Sequence, residues 1–232
     1  MNKIYHPLAS LEDWRLGLVD PTKQWRTGYS ARTLAHCWTS AAGWPAEIKA
    51  LWKTSPHTAL HDSHPLLMLA EHKVKMPGKG FDSQNDLFVL ARANRALSTV
   101  MIEGKVDEAF GDTIARWRGS AEFTPNKKAR FDDICTLLGL AAVPDTIRYQ
   151  LLHRTASALL EAQAYTAAYA VMIVHSFSRK PIETDPNWND FAAFVSLYQQ
   201  TAMPDQMIEL GLFGGIRLFV AWARGDLRYL EM

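Results

Sequence analysis

Cysteine is scarce in this chain. Cys37 and Cys135 are the only two in 232 residues, and they lie far apart in apolar helical contexts, "LAHCW" and "DDICTLLGL". No CxxC or Cys/His metal spacing is present. That excludes a disulfide framework and a zinc-finger architecture, and it fits buried free thiols in a reducing cytoplasm. Net charge is scarce too: 25 Lys and Arg against 24 Asp and Glu leave +1. The whole chain is therefore no polyelectrolyte binder, and a nucleic-acid partner has to be held by a local basic surface. Long hydrophobic runs are missing. The longest, "AYAVMIVHSF", is about half the ~20 residues that span a bilayer. "MNKIYHPLASLEDW" carries neither an apolar core nor a cleavage site for secretion, so the expectation is a cytoplasmic protein with no membrane association. No Walker loop, GxGxxG turn after a strand or GxSxG elbow occurs, which argues against NTPase, dinucleotide and α/β-hydrolase chemistry. Internal repeats and low-complexity tracts are absent as well.

What is present suits a globular core: 48% hydrophobic and 21% charged residues over a length that can bury one good-sized interior. Residues 1–64 read as helices joined by polar loops. Ser30 is the expected N-cap of "ARTLAHCWTSAAG", with Gly43 as its stop, and Pro45 opens "PAEIKALWK". Trp14, Trp25, Trp38, Trp44 and Trp52 crowd this region and are expected to pack a core or a lobe interface. "HPLLMLAEHK" reads as another helix, running into the loop "KMPGKGFDSQN". A hairpin follows, with strands Asp86–Arg92 and Leu97–Val106 around the turn "ANRA".

Beyond the hairpin the pattern gives a short helix ended by Gly119, a basic loop "FTPNKKARFDD" and a short helix "DDICTLLGL". A long amphipathic helix, "DTIRYQLLHRTASALLEAQAY", comes next. "AYAVMIVHSF" is then a strand buried on both faces, and the helical crossover before it implies parallel pairing with Leu97–Val106. The chain ends in a helix, "NWNDFAAFVSLYQQ", and a strand, "IRLFVAWARG". The expected fold class is α/β. A mainly helical region, 1–64, packs on a mixed-sheet core of about 65–232, all in one domain.

The chemistry gathers in "TVMIEGKV". Glu103 and Lys105 interrupt an apolar strand two residues apart, so their side chains share a face. Asp86 opens the preceding strand, and its antiparallel mate falls near position 102 or 103. Two carboxylates and a lysine at one end of a sheet suit a hard divalent cation, which can polarise a phosphodiester and activate water. The lysine can orient that water or neutralise the developing charge.

These residues resemble the D…(D/E)xK core of the PD-(D/E)xK, or restriction-endonuclease-like, nuclease superfamily. The shared core of that superfamily runs α-β-β-β-α-β. More narrowly, "GYSARTLAHCW", "EHKVKMPG", "SQNDLFVLAR", "EGKVDEAFG" and "RYQLLHRTASALLEA" together resemble an uncharacterised bacterial family placed in it. The resemblance implies a restriction-endonuclease-like mixed sheet with added N-terminal helices. It also implies Mg²⁺ (or Mn²⁺) on Asp86 and Glu103, Lys105 as the catalytic lysine, and Glu71 as the acidic residue contributed by the preceding helix. Gln150 and Tyr149 match the glutamine and tyrosine that some subfamilies place beside the metal. The proline that often precedes the aspartate is replaced here by Asn85.

Plainer readings stand beside these. Glu103 and Lys105 could be the solvated face of an edge strand, although the flanking "TVMI" run implies burial, where carboxylates need partners. Asp107 and Glu108 read as first-turn helix carboxylates. His72, His153 and His175 have no partner at ligand spacing, and His175 reads as a satisfied sheet-end histidine. "NKKAR" is a solvated loop that also offers Lys127, Lys128 and Arg130 to a phosphate backbone. Three functions remain open. The chain could be an Mg²⁺-dependent nuclease acting on nucleic acid, DNA first, as a homodimer or with a targeting partner protein. It could be a non-catalytic module of the same fold that binds nucleic acid or a protein. It could also be a metal enzyme acting on another phosphorylated substrate.

Overall fold

The computed structural model describes residues 10–232. The expectation of no leader segment falls largely on residues 1–9 and so lies outside the described residues. The first helix, α1 (Leu11–Gly17), starts at a reciprocal cap in which Ser10 Oγ accepts from the Asp13 amide and the Asp13 carboxylate accepts from the Ser10 amide, both at 3.1 Å. A short α2 (Pro21–Gln24) leads to α3 (Ser30–Ser40), which buries Leu34, Cys37 and Trp38. Ser30 is not the N-cap. Tyr29 occupies that position, and the Ser30 amide is satisfied from a distance by Glu108 Oε1 at 2.9 Å, which removes the need for a local hydroxyl. Helix α4 (Ala46–Trp52) completes the N-terminal group.

The segment read as a helix before the hairpin is instead a strand, β1 (His64–Val74), paired antiparallel along its length with β2 (Ser83–Ala93). Its Leu, Met, Ala, Glu and Lys are good helix formers, and sheet pairing overrides that weak preference. A two-residue turn, with Asn94 at φ +56, sends the chain back as β3 (Ala96–Lys105).

Helix α5 (Ile114–Arg118) stops at Gly119, at φ +82. "NKKAR" does not form a loop; it lies in the first turns of α6 (Pro125–Leu137), where Pro125 fits the helix start. Helix α7 (Tyr149–Ala164) then crosses over to β4 (Tyr169–Ser176), which runs parallel to β3 from Ser98↔Tyr169 to Lys105↔Ser176, as the apolar run implied. Helix α8 (Pro186–Ser196) precedes the hairpin of β5 (Met207–Phe213) and β6 (Ile216–Arg224). The expectation missed β5, a short strand closed by Gly214 and Gly215. The sheet order is β1-β2-β3-β4-β6-β5.

Alternating side chains of this sheet feed two cores. Phe88, Met101, Met172, Val174 and Trp222 face α7 and α8. Val89, Val100, Ile102, Val171 and Phe219 face the N-terminal helices, where Trp14, Trp38 and Trp52 are buried and Trp25 and Trp44 pack against them. Because β3 sits between β2 and β4, its charged end is not a solvated edge: Glu103 is 2% exposed and Lys105 5%.

Candidate active site

The register builds the site. In the β1–β2 ladder Ala70 pairs with Leu87 and His72 with Asn85, which sets Glu71 opposite Asp86. In the β2–β3 ladder the last pair is Leu87↔Ile102, so the next position sets Asp86 opposite Glu103. Three carboxylates thus stand in a row across three neighbouring strands. Pairing lapses at this row. Glu71 adopts φ +53, a left-handed conformation uncommon outside glycine. Asp86 Oδ2 accepts the Gly104 amide at 2.8 Å. Glycine fits closely at position 104, where a Cβ would stand 3.3 Å from Leu34 Cδ2 and 3.4 Å from Asp86 Oδ2. Helix α3 therefore lies close against the strand at the level of the site.

Glu103 is held from three sides. Its Oε1 accepts from Lys105 Nζ and from Gln150 Nε2, each at 2.7 Å, and its Oε2 accepts from Arg154 Nε at 2.5 Å. Burial alone raises a carboxyl pKa, but the Arg154 and Lys105 charges and their hydrogen bonds outweigh it and hold Glu103 at about 2. Its neighbours go the other way. Burial, then the charge of Glu103, pushes Asp86 up to about 7. Burial, then the charge of Asp86, pushes Glu71 up to about 8, against the Gln84 amide that donates to Glu71 Oε2 at 2.7 Å. Arg154 is fixed in turn by Ser83 Oγ, at 3.0 Å from Nη1. That hydroxyl also bonds His153 Nδ1 at 2.8 Å. Burial, then the Arg154 charge, holds His153 well below the usual histidine range, so it is neutral.

A cavity of about 440 Å³ opens onto Glu71, Asp86, Glu103, Lys105, Gln150 and Arg154, and Tyr29 and Ser30 also line it. Asp86, Glu103, Lys105, Glu71 and Gln150 therefore come together. Glu71 reaches the site from a strand, not from the helix that the sequence suggested. Tyr149 does not join them: its ring stacks on Trp117 at 3.8 Å, and its hydroxyl accepts from Arg130 Nε at 2.9 Å. Lys127 is bound to the Trp117 and Arg118 carbonyls, Lys128 to Asp132, and Arg130 to Phe81 O at 2.6 Å. Lys127 and Arg130 are thus engaged by the fold, while Lys128 stands in an exposed pair with Asp132 on the helix surface. Arg154 was missed, although its place four residues after Gln150 on one helix face was readable.

The donor set fits a hard cation. Its oxygens are carboxylates, and Gln150 Oε1 is buried with no hydrogen-bond partner among the described residues. A carboxylate has about four acceptor positions, of which Glu103 uses three and Asp86 one. The row is open: the one group of His, Cys, Asp or Glu among the described residues with all ligand atoms within 4.8 Å is elsewhere, at Cys37, Glu47 and His175. An open set of one or two carboxylates, with waters completing the shell, is the usual Mg²⁺ arrangement.

The fold and site define a mixed α/β protein with a buried carboxylate–lysine–arginine centre where its sheet splays. The chain belongs to the family described as a domain of unknown function, DUF6946, whose model matches residues 7–227. Comparison with curated proteins finds no match. Comparison with solved structures finds none either. Among the described residues no helix is long and apolar enough to cross a membrane.

Proposed function

We propose that this chain is a PD-(D/E)xK-type nuclease that hydrolyses phosphodiester bonds, with DNA as its substrate. The observation that carries the reading is the convergence of half-buried Asp86 with buried Glu103 and Lys105 on one cavity at the end of the β2–β3 hairpin. Helices α5, α6 and α7 and then the parallel strand β4 follow, and the β1–β2–β3–α7–β4 succession resembles the restriction-endonuclease-like order once α5 and α6 are set aside as additions. Mg²⁺ or Mn²⁺ would be held by Asp86 and Glu103, with Glu71 and the free Gln150 oxygen beside them. A bound ion of this kind supplies Lewis-acid polarisation and a more acidic water.

The protein's own groups do the rest. Arg154 and Gln150 keep Glu103 ionised and immobile, so the reacting centre needs no reorganisation. Lys105 Nζ, fixed 2.7 Å from Glu103, presents its remaining protons to a water or to the oxygen on which charge develops. Glu103 and Lys105 are withdrawn from water, which strengthens the interaction between them.

A second reading also has an observation behind it. Three donors already satisfy Glu103, as they would in a purely structural network within a non-catalytic module that binds nucleic acid or a partner protein. Plasmid nicking with Mg²⁺ or Mn²⁺, alongside calorimetric metal binding, separates the two. Loss of both in Asp86→Ala and Glu103→Ala supports the nuclease. A folded wild type that binds no metal leaves the binding module.

A further inference from the structure

The β1–β2 connection, residues 75–82, lies beside the site, and its chemistry is unused by anything described above. Lys73, Lys75 and Lys79 are exposed and make no ion pair among the described residues. Asp82 is the sole acid between His72 and Asn85. Most other lysines in the described chain are engaged: Lys23, Lys53, Lys105, Lys128 and Lys180 have carboxylate partners, and Lys127 has carbonyls. Phe81, in the same connection, is 95% exposed, more than any other large hydrophobic residue described.

An exposed phenylalanine on a loose loop needs no explanation, but this one is fixed from below. Arg130, itself buried, donates to the Phe81 carbonyl at 2.6 Å and to Tyr149 at 2.9 Å. Its guanidinium passes so close under Gly80 that a Cβ there would lie 2.8 Å from Nη1, and Gly80 takes φ +136. The backbone is pinned while the ring is held out in water. The first rung of this hairpin end, Val74↔Ser83, is three positions from Glu71 and Asp86, about 10 Å at ~3.3 Å per residue.

We infer that this hairpin end is a grip for single-stranded DNA, with Phe81 as the stacking platform and Lys73, Lys75 and Lys79 on the phosphates. The inference rests on the nuclease reading for the identity of the strand's destination. Pinned aromatic surface beside unpaired cations is the chemistry of single-strand binding, in which bases stack and the backbone is neutralised. The site favours a single strand over a duplex. Glu103 is 2% exposed at the floor of a cavity of about 440 Å³, a recess that a lone or flipped nucleotide enters more readily than a stacked pair.

Fluorescence anisotropy of a labelled oligonucleotide of about 12 nucleotides, within the ~4–16 nucleotide footprints of such sites, tests this on the full chain in EDTA. The single strand is expected to bind about tenfold tighter than its duplex, and Phe81→Ala to lose about tenfold of that affinity. Replacing the three lysines by alanine should lower the salt slope by about 2. Equal affinity for duplex, unchanged binding in Phe81→Ala, or tighter binding of the matching RNA overturns the inference. No binding of any oligonucleotide also overturns it and leaves Phe81 to a protein partner. The nuclease reading is judged separately: a wild type that grips single strands but cuts nothing with Mg²⁺ or Mn²⁺ keeps the grip and loses the nuclease, whereas grip variants that bind and nick as wild type do the reverse.

Discussion

Arg154 Nε lies 2.5 Å from Glu103 Oε2 with both side chains withdrawn from water, the arginine 9% exposed and the glutamate 3%. Lys105 Nζ takes the other carboxylate oxygen at 2.7 Å. Two desolvated cations on one carboxylate fix it as an anion. The same anion, facing Asp86, helps to drive that neighbour's proton affinity up, and Asp86 does so to Glu71. One row of three similar acids is thereby sorted into a permanent charge and two groups that exchange protons near neutrality, the pattern by which sites divide roles between like residues.

Removing Arg154 should be costly because it leaves a buried carboxylate short of a partner. Arg154→Ala is expected to lower unfolding free energy by about 3–5 kcal/mol. Arg154→Lys should cost less, since charge survives while the Ser83 contact is lost. Urea denaturation of the two variants measures this. Equal, small losses in both would mean that the ion pair contributes little.

The raised acids make stability fall as pH rises. The folded values, about 7 for Asp86 and about 8 for Glu71, stand above the ordinary carboxyl values of ~4 that apply when unfolded. The folded state then binds protons more tightly. Its advantage is whole below pH ~4 and is lost as pH climbs through 7 and 8. Glu103 has the opposite sign: its contribution holds above the ordinary value and is lost as pH falls toward about 2. Unfolding free energy is expected to drop by on the order of 2 kcal/mol between pH 5 and pH 9, partial exposure at the cavity mouth being allowed for. Denaturation of Glu71→Gln and Asp86→Asn across that range should give flatter curves than wild type.

Metal binding should displace those protons. At pH 7.5, Mg²⁺ or Mn²⁺ uptake is expected to release about one proton per site, because ligands must be ionised to bind. Calorimetry in two buffers of different ionisation enthalpy reads the number directly. Uptake with no proton release would place the ion away from Asp86 and Glu71.

Much of this centre was legible because it depends on local spacing. The i, i+2 placement of Glu103 and Lys105 and the two-residue turn near Asn94 bring Asp86 to Glu103 without any long-range information. The parallel crossover to β4 was legible for a similar reason, an apolar run after a long helix. Glu71 was assigned to the wrong element because β1 is built from helix-forming residues, and only its pairing with β2 makes it a strand. The partners that hold Glu103, above all Arg154, depend on where α7 docks. So do the fates of Tyr149 and Arg130, which bond each other; Lys127 is taken by carbonyls at the end of α5 and Lys128 by Asp132 on its own helix.

The cluster of Cys37, Glu47 and His175 looks like a metal site by proximity and should not behave as one. Trp38 Nε1 can only donate, and it lies 3.1 Å from His175 Nδ1. That fixes the tautomer: Nδ1 is bare, and Nε2 carries the hydrogen it gives to Glu47 Oε1 at 2.9 Å. Cys37 Sγ points its hydrogen at the same oxygen, 3.6 Å away. Burial, then the charge of Glu47, pushes the Cys37 thiol well up, away from the thiolate that a metal needs. Stoichiometric Zn²⁺ is expected to leave the wild-type Tm unchanged, and Cys37 to resist thiol reagents until the chain unfolds. Trp38→Phe removes the indole donor, so the imidazole proton can move to Nδ1 and Nε2 becomes a ligand. That variant should show a Zn²⁺-dependent rise in Tm. A rise in the wild type instead would mean that the indole does not set the tautomer.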